Sequence, residues 1–308
     1  MITVVVCTFN ADWEKIKKTL FSIIRQKEIL YEILVADDGS INNNFDMIRK
    51  FFLEHEFYNY SLIANKDNKG TVLNILGAIE DAKGEYVKVI SPGDYLYDEF
   101  TLRKFWNEIE KSKKEVYFGK SIYYQRQADN LCFFEGVSPR DLNVYKKKKY
   151  KWIRRNYLVK RDYILGASFV IKTSIFLEYL KRISGLIKYA EDCSVICMVA
   201  DGIYPVFIDE YILWYEYGTG ISTSAQSKWA IILYNENKNI FDKLYEKKLI
   251  NRFHYGMYYH ENSVIRLLSR LLVYPMYFVF RKKNCSKKVK NENKFFVYKS
   301  IISKIEKI

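Results

Sequence analysis

The sequence predicts an α/β fold, a mostly parallel sheet flanked by helices and followed by a helical C-terminal extension, and three observations carry that reading. Short β-branched runs alternate with stretches of helical period up to residue 90. Each run is apolar throughout rather than at every second position, the pattern of strands buried on both faces. The links between them are short, as in βαβ units. The runs are 2–7, 33–36, 61–64 and 86–90. Between them Ile16, Leu20, Ile23 and Ile24 mark a helix within 13–26, Ile48, Phe51 and Phe52 a second, and Val72, Ile75, Leu76 and Ile79 a third. Leu102, Phe105, Trp106 and Ile109 predict the next helix, and 116–118 the next strand.

From about Ser121 the alternation fades into an aromatic, basic stretch, 121–165, that includes Lys146, Lys147, Lys148, Lys149, Lys151, Arg154 and Arg155. Order returns at Gly166-Ala167-Ser168, with a strand at 169–171, a helix near 174–182, a helix opened by Glu191-Asp192, and late strands at 204–208 and 212–217. Beyond Gly220 the chain is helical and basic. The stretch 264–280 is strongly apolar but interrupted by Arg266, Arg270 and Pro275. Its longest charge-free part, 271–280, is shorter than the roughly 20 apolar residues that span a bilayer. Arg281, Lys282, Lys283, Lys287, Lys288 and Lys290 follow. The stretch therefore reads either as an interfacial helix on anionic headgroups or as an amphipathic helix packed on the main domain.

With 308 residues, of which 49% are hydrophobic and 17% aromatic, the chain can bury a large core. Its formal net charge of +14 calls for an anionic partner: nucleic acid, lipid headgroups or a phosphorylated substrate. No nucleic-acid recognition module is evident, so no nucleic-acid partner is expected. The five cysteines, odd in number and without repeated Cys-x-x-Cys pairs, read as reduced thiols. No signal-peptide pattern precedes the first strand, and a cytoplasmic location is expected.

Several chemistries are excluded by motif. No Gly-x-Gly-x-x-Gly follows the first strand, no P-loop occurs, and no serine sits in a nucleophile elbow. What remains are carboxylates on separate elements: Asp37-Asp38, Asp94 and Glu191-Asp192. The strand 86–90 stops at Ser91-Pro92-Gly93-Asp94, and open α/β sheets bind ligands beyond the carboxyl ends of their strands. Carboxylates there suit magnesium or manganese bridged to phosphate. A separate one suits general-base work on a hydroxyl. The residues alone point to transfer of a group from a phosphorylated donor.

Val4-Val5-Val6-Cys7-Thr8-Phe9-Asn10, Ile33-Leu34-Val35-Ala36-Asp37-Asp38-Gly39-Ser40, Gly70-Thr71-Val72-Leu73-Asn74 and Gly84-Glu85-Tyr86, in that order, resemble a family-2 glycosyltransferase over about 2–217. The resemblance implies a GT-A nucleotide-sugar-binding and catalytic domain at 1–217, with 218–308 as a basic helical extension toward membrane surface or acceptor. It implies Thr8, Asn10, Asp37, Asp38 and Asn74 at the donor nucleotide. Asp94 falls at the metal motif, although Ser91 and Gly93 stand where the family commonly has aspartates. Asp192 falls at the catalytic base with Glu191 beside it, and Gly166 and Ala167 fall near the acceptor or donor sugar. The glycines and hydroxyls of 217–222, rather than the resemblance, add Ser222 to these contacts on an expected flap reaching the diphosphate.

The implied cofactor is a divalent metal, Mn or Mg. The implied reaction is inverting transfer from a nucleoside diphosphate sugar, a UDP-sugar first, to a hydroxyl of a glycan or polyprenyl-linked acceptor in bacterial surface polysaccharide synthesis. The expected place is the inner face of the cell membrane, in peripheral contact with anionic lipid. The thinned metal motif also motivates a catalytically impaired subunit that binds nucleotide sugar or scaffolds an active partner.

Overall fold

The computed structural model describes residues 1–127, 130–135, 138–220, 227–276 and 287–307. Its first half follows the expected alternation: β1 (Ile2–Thr8), α1 (Trp13–Ile24), β2 (Tyr31–Asp37), α2 (Phe45–Glu54), β3 (Tyr60–Ala64), α3 (Thr71–Glu80) and β4 (Tyr86–Ile90). β1 pairs in parallel with β2 and β4, and β2 with β3. Strands apolar throughout feed two cores, because neighbouring side chains point to opposite faces. Val5, Leu34 and Ala36 join the core under α3, whereas Val4, Val6, Ile33 and Val35 join the one under α1 and α2.

Beyond β4 the sheet becomes mixed. A short strand β5 (Tyr95–Leu96) and α4 (Thr101–Ser112) lead to β6 (Val116–Gln127) and β7 (Asn130–Glu135). The expected irregular stretch after Ser121 thus begins as a long antiparallel hairpin. Its tyrosines and phenylalanines had masked the strand period, since both faces are covered: Tyr124 and Phe133 lie in one aromatic cluster and Tyr123 in another core. Then come α5 (Asn143–Lys146), α6 (Tyr150–Arg155), a π-turn at Asn156–Lys160, a 3-10 turn at Gly166–Ser168, β8 (Phe169–Lys172), α7 (Thr173–Ile183), α8 (Cys193–Ala200) and β9 (Val206–Glu216).

β9 corrects the expectation of two late strands. Asp209 and Glu210, between the two expected strands, lie mid-strand and exposed, and Asp209 meets Lys146 at 2.6 Å and Lys120 at 3.0 Å. A register shift against β6 absorbs the irregularity.

The C-terminal part is α9 (Ser227–Glu246), α10 (Arg252–Tyr259), α11 (Ser263–Val273), β10 (Lys287–Lys288) and α12 (Glu292–Glu306). Ile240, Phe241 and Leu244 of α9 enter the same core as α3, α7 and α8. Tyr298, Ile302 and Ile305 of α12 close an aromatic cluster over Tyr95, Tyr124 and Trp214. Cys7, Cys132, Cys193 and Cys197 are free thiols. Among the described residues no helix is long and apolar enough to cross a membrane.

Candidate active site

The parallel strands bring their carboxyl ends to one edge. Register pairs Thr8 with Asp37, and Val6 with Ile90, so the turns after β1, β2 and β4 open on the same side. At this edge the acids of β2 are fully engaged. Asp37 Oδ1 accepts from Thr8 Oγ1 at 2.9 Å and from Ser40 Oγ at 2.6 Å, while its Oδ2 accepts the Ser40 amide at 2.8 Å. The Asp38 carboxylate accepts the Lys69 amide at 2.9 Å, the Gly70 amide at 2.8 Å and Asn65 Nδ2 at 3.2 Å. It thereby fastens the loop before α3 onto β2. Asn74 completes the network, donating to Ala36 O at 2.9 Å and accepting from Asn65 at 3.0 Å. Thr8, Asp37, Asp38 and Asn74 are buried, whereas Asn10 and its neighbour Phe9 stand exposed at the end of β1.

Asp94, at the turn after β4, is differently placed. Its Oδ1 accepts the Glu216 amide at 2.9 Å, and among the described residues its Oδ2 takes no hydrogen bond. Burial pushes the carboxyl up to about 7, offset in part by that amide and by the nearby Lys88 ammonium. Lys88 is itself wholly enclosed, so burial lowers its pKa to about 7. It donates to the carbonyls of Val89 and Ala167, which ties β4 to the small-residue segment.

Gly93 has φ +102, and a Cβ built there would lie 2.3 Å from Glu216 Oε2. The space that a side chain at 93 would enter is therefore taken by the Glu216 carboxylate, reaching over from the end of β9. That carboxylate also meets Lys15 Nζ at 2.6 Å and Thr219 Oγ1 at 2.9 Å. Glu216 escaped the sequence reading because its partner lies 123 positions earlier, with no motif to join them.

Glu191 and Asp192 lie just before α8. Asp192 occupies the N-cap position without a side-chain capping bond, although the amides of Asp192 and Cys193 at the start of the helix partly offset the rise of its pKa. Both are partly open to the cleft yet surrounded by protein, and burial raises Asp192 to about 6 and Glu191 to about 8. Repulsion from Asp192 adds to the rise at Glu191, and Glu236 adds to both.

Glu236 is a second residue that sequence reasoning missed. From α9 its carboxylate accepts the amides of Lys188 at 2.9 Å, Tyr189 at 3.0 Å and Ala190 at 2.8 Å. Three successive N–H groups on one carboxylate form an anion nest that fixes the approach to Glu191. The Lys188 carbonyl accepts the Val72 amide at 3.1 Å, which links this loop to the segment held by Asp38.

A cleft of about 460 Å³ opens here, and its lining includes Ser91, Asp94, Gly166, Ala167, Glu191, Asp192, Glu216 and Thr219 but none of Thr8, Asn10, Asp37 and Asn74. Gly166 approaches Asp192 so closely that a Cβ there would lie 3.1 Å from Asp192 Cβ. Its lack of bulk makes room for the acid. Asp38 does not line the cleft, and Ser222 lies outside the described residues.

Whether this edge suits a divalent cation can be read from its donor set. Among the described residues, no group of three or more His, Cys, Asp or Glu is arranged to hold a metal. The open Asp94 Oδ2 suits a cation that draws most of its shell from water and a diphosphate, as magnesium ordinarily does.

Comparison with known proteins bears on the family and the fold. The chain is 30% identical over 197 residues to a poly(ribitol-phosphate) beta-glucosyltransferase of Bacillus spizizenii, covering 62% of this chain and 28% of that one. It is 24% identical over 135 residues to glycosyltransferase GlyG of Streptococcus pneumoniae, covering 44% and 43%. The chain thus spans less than half the length of these curated relatives. Among solved structures, S. aureus TarS 1-349 in complex with UDP superposes with a TM-score of 0.52 at 16% identity, over 92% of this chain and 75% of that one. Mannosyltransferase PcManGT from Pyrobaculum calidifontis, in complex with GDP-Man and Mn2+, gives 0.56 at 15%, over 90% and 73%. Both likenesses concern the GT-A fold. The family model for Glycosyl transferase family 2 matches residues 3–163, more than half of the sequence, and the chain belongs to that family.

Proposed function

We propose that the protein is an inverting glycosyltransferase that moves a sugar from a nucleoside diphosphate donor to an acceptor hydroxyl. One observation carries the reading. Asp94, from the turn after β4, and the Glu191-Asp192 pair, from the segment before α8, line a single cleft. Their convergence also speaks against a catalytically impaired subunit.

Asp192 is the base. Burial raises its pKa above the ordinary carboxyl range, so its ionised form is basic enough to draw a proton from a hydroxyl as the new bond forms. Glu191, raised by burial and by the Asp192 charge beside it, is the member of the pair that holds a proton and can donate a hydrogen bond. The acceptor oxygen bonds to the anomeric carbon from the face opposite the diphosphate, its proton passes to Asp192, and the bond from carbon to phosphate oxygen breaks. Configuration inverts.

At the donor end, Thr8, Asp37, Asp38 and Asn74 form the rigid floor on which the nucleotide sits, and Asn10 and Phe9 offer a polar group and an aromatic face to it. Asp94 would hold a divalent metal, Mn or Mg, with Glu216 contributing the carboxylate that position 93 lacks. A bound metal supplies neutralisation of the charge growing on the leaving diphosphate. Gly166 and Ala167 border the sugar.

TarS was solved with UDP and the archaeal mannosyltransferase with GDP-Man. The first favours a UDP-sugar here. The Bacillus relative's printed name, poly(ribitol-phosphate) beta-glucosyltransferase, favours a polymer acceptor, and we propose a glycan or polyprenyl-linked acceptor of bacterial surface polysaccharide synthesis. Residues 1–217 would form the catalytic domain and 218–308 a basic extension. The expected place is the inner face of the cell membrane. Purified protein should be incubated with a panel of nucleotide sugars, with Mn2+ or chelator, and thermal shift and sugar release recorded. One nucleotide sugar should stabilise the protein and be turned over. No binding to any of them would refute the donor site.

A further inference from the structure

α11 is turned inside out for a helix on a soluble protein. Such helices bury an apolar stripe and expose charge. Here the one fully buried residue is Ser269, which rests against Gly256 of α10. The two arginines of the helix also turn inward. Arg270 Nε donates to Met257 O at 2.9 Å, and an Arg266 guanidinium nitrogen to Glu261 O at 2.8 Å. The apolar side chains face outward: Val264, Leu268 and Leu272 are 60%, 52% and 69% exposed, and Ile265, Leu267 and Leu271 are exposed as well. Asn262 caps the helix by accepting the amides of Val264 and Ile265. The element is thus properly terminated rather than a frayed end.

The rim of this face is basic and aromatic. Tyr274, directly after α11, has the Arg155 guanidinium 4.4 Å and Lys160 Nζ 5.1 Å from its ring centre. Arg155 also lies over Trp152, which is 47% exposed beside the exposed Tyr150. Lys147, Lys148, Lys149 and Lys151 are all exposed on the same short segment. Two stretches more than a hundred positions apart in sequence, the basic loop and the apolar helix, therefore form one surface.

We propose that this surface docks the protein on an anionic lipid bilayer, with the leucines of α11 in the acyl boundary and the lysines of 147–151 at the headgroups. An outward apolar face beside cations and interfacial Trp and Tyr is the composition that such binding uses. A second copy of the chain is the poorer occupant, since it would bring two surfaces rimmed by cations together. The inference deepens the peripheral membrane placement proposed above by naming the face. The segment that leaves this rim at Lys160 enters the catalytic cleft at Tyr163, so a lipid-linked acceptor would have a short path to Asp192.

Sedimentation of the full chain with vesicles of phosphatidylcholine alone, or with one third phosphatidylglycerol, tests the inference without any sugar donor. The protein should pellet with the anionic vesicles and stay in solution with the neutral ones. The variant Leu268→Glu/Leu271→Glu/Leu272→Glu should weaken pelleting by about tenfold or more with an unchanged melting temperature, because the altered side chains are exposed. Lys148→Glu/Lys149→Glu/Lys151→Glu, on a separate element, should do the same. Failure of the wild type to pellet, or wild-type binding by both variants, would overturn the proposal. So would a dimer in sedimentation equilibrium that the leucine variant dissociates, since that result assigns the face to a second copy. Donor turnover on a soluble acceptor is scored separately, so loss of vesicle binding leaves the transfer reading standing.

Discussion

Two sets of buried acids flank the same sheet edge, and protein surrounds them very differently. Asp37 and Asp38 each accept three hydrogen bonds from amides and side chains. Asp94 has one such bond, and burial drives it, with Glu191 and Asp192, well above the ordinary carboxyl range. The first set supplies structure, with its charge fixed by donors built into the fold. The second set keeps its proton chemistry open at the cost of stability. Being acidic and buried does not distinguish them, whereas counting donors does.

The sharpest way to break this comparison is to neutralise one acid from each set. Asp192→Asn should reduce transfer by about a thousandfold, within the span of general-base effects, while nucleotide-sugar affinity measured by calorimetry stays within about twofold. Asp38→Ala should act on the fold instead. It strands the amides of Lys69 and Gly70 and should cost about 2–3 kcal/mol, seen as a melting temperature lower by roughly 5–10 °C. If Asp38→Ala melts like the wild type, the framework role is wrong.

Smaller effects sharpen the contrast. Glu216→Gln should weaken Mn2+ binding in the presence of UDP by about tenfold, read by calorimetry independently of turnover. Unchanged affinity would confine Glu216 to packing behind Gly93. Glu236→Gln should lower kcat by about tenfold and move the acid limb of the pH–rate profile to lower pH, because the charge removed is one that raises Asp192. A fall in rate with no such movement would mean that Glu236 matters only for the shape of the loop.

Stability should also depend on pH in a direction set by the second group. Burial raises Asp94, Glu191 and Asp192, so the fold favours their protonated forms. Stability present at pH 4 is lost as pH rises through 6 to 8. In denaturant titrations Asp192→Asn should exceed the wild type by on the order of 1 kcal/mol at pH 8 and match it at pH 4.

Much of the donor side was legible in the sequence, because it is local. Thr8, Asp37 and Asp38 sit at the ends of continuous apolar strands, and the βαβ pattern alone brings those ends together. The Glu191-Asp192 pair and Asp94 stood out as acids beside element boundaries. What stayed hidden depends on distant partners. Glu216 is meaningful only because it fills the place of a side chain at Gly93, and Glu236 only because its helix crosses the loop before Glu191. The hairpin of β6 and β7 was obscured by aromatic residues on both faces. For α11 the period was visible in the sequence, but which side faced the protein was not.

The central claim is that Asp192, desolvated but ionised, takes the acceptor proton. The pH dependence of kcat/KM for sugar transfer by the wild-type protein, from pH 5 to 9, tests it most directly. The account predicts a rate that climbs as the Glu191–Asp192 pair loses its first proton, above the ordinary carboxyl range, reaches a plateau, and declines as the pair loses its second. A rate flat between pH 5 and 7 would contradict it.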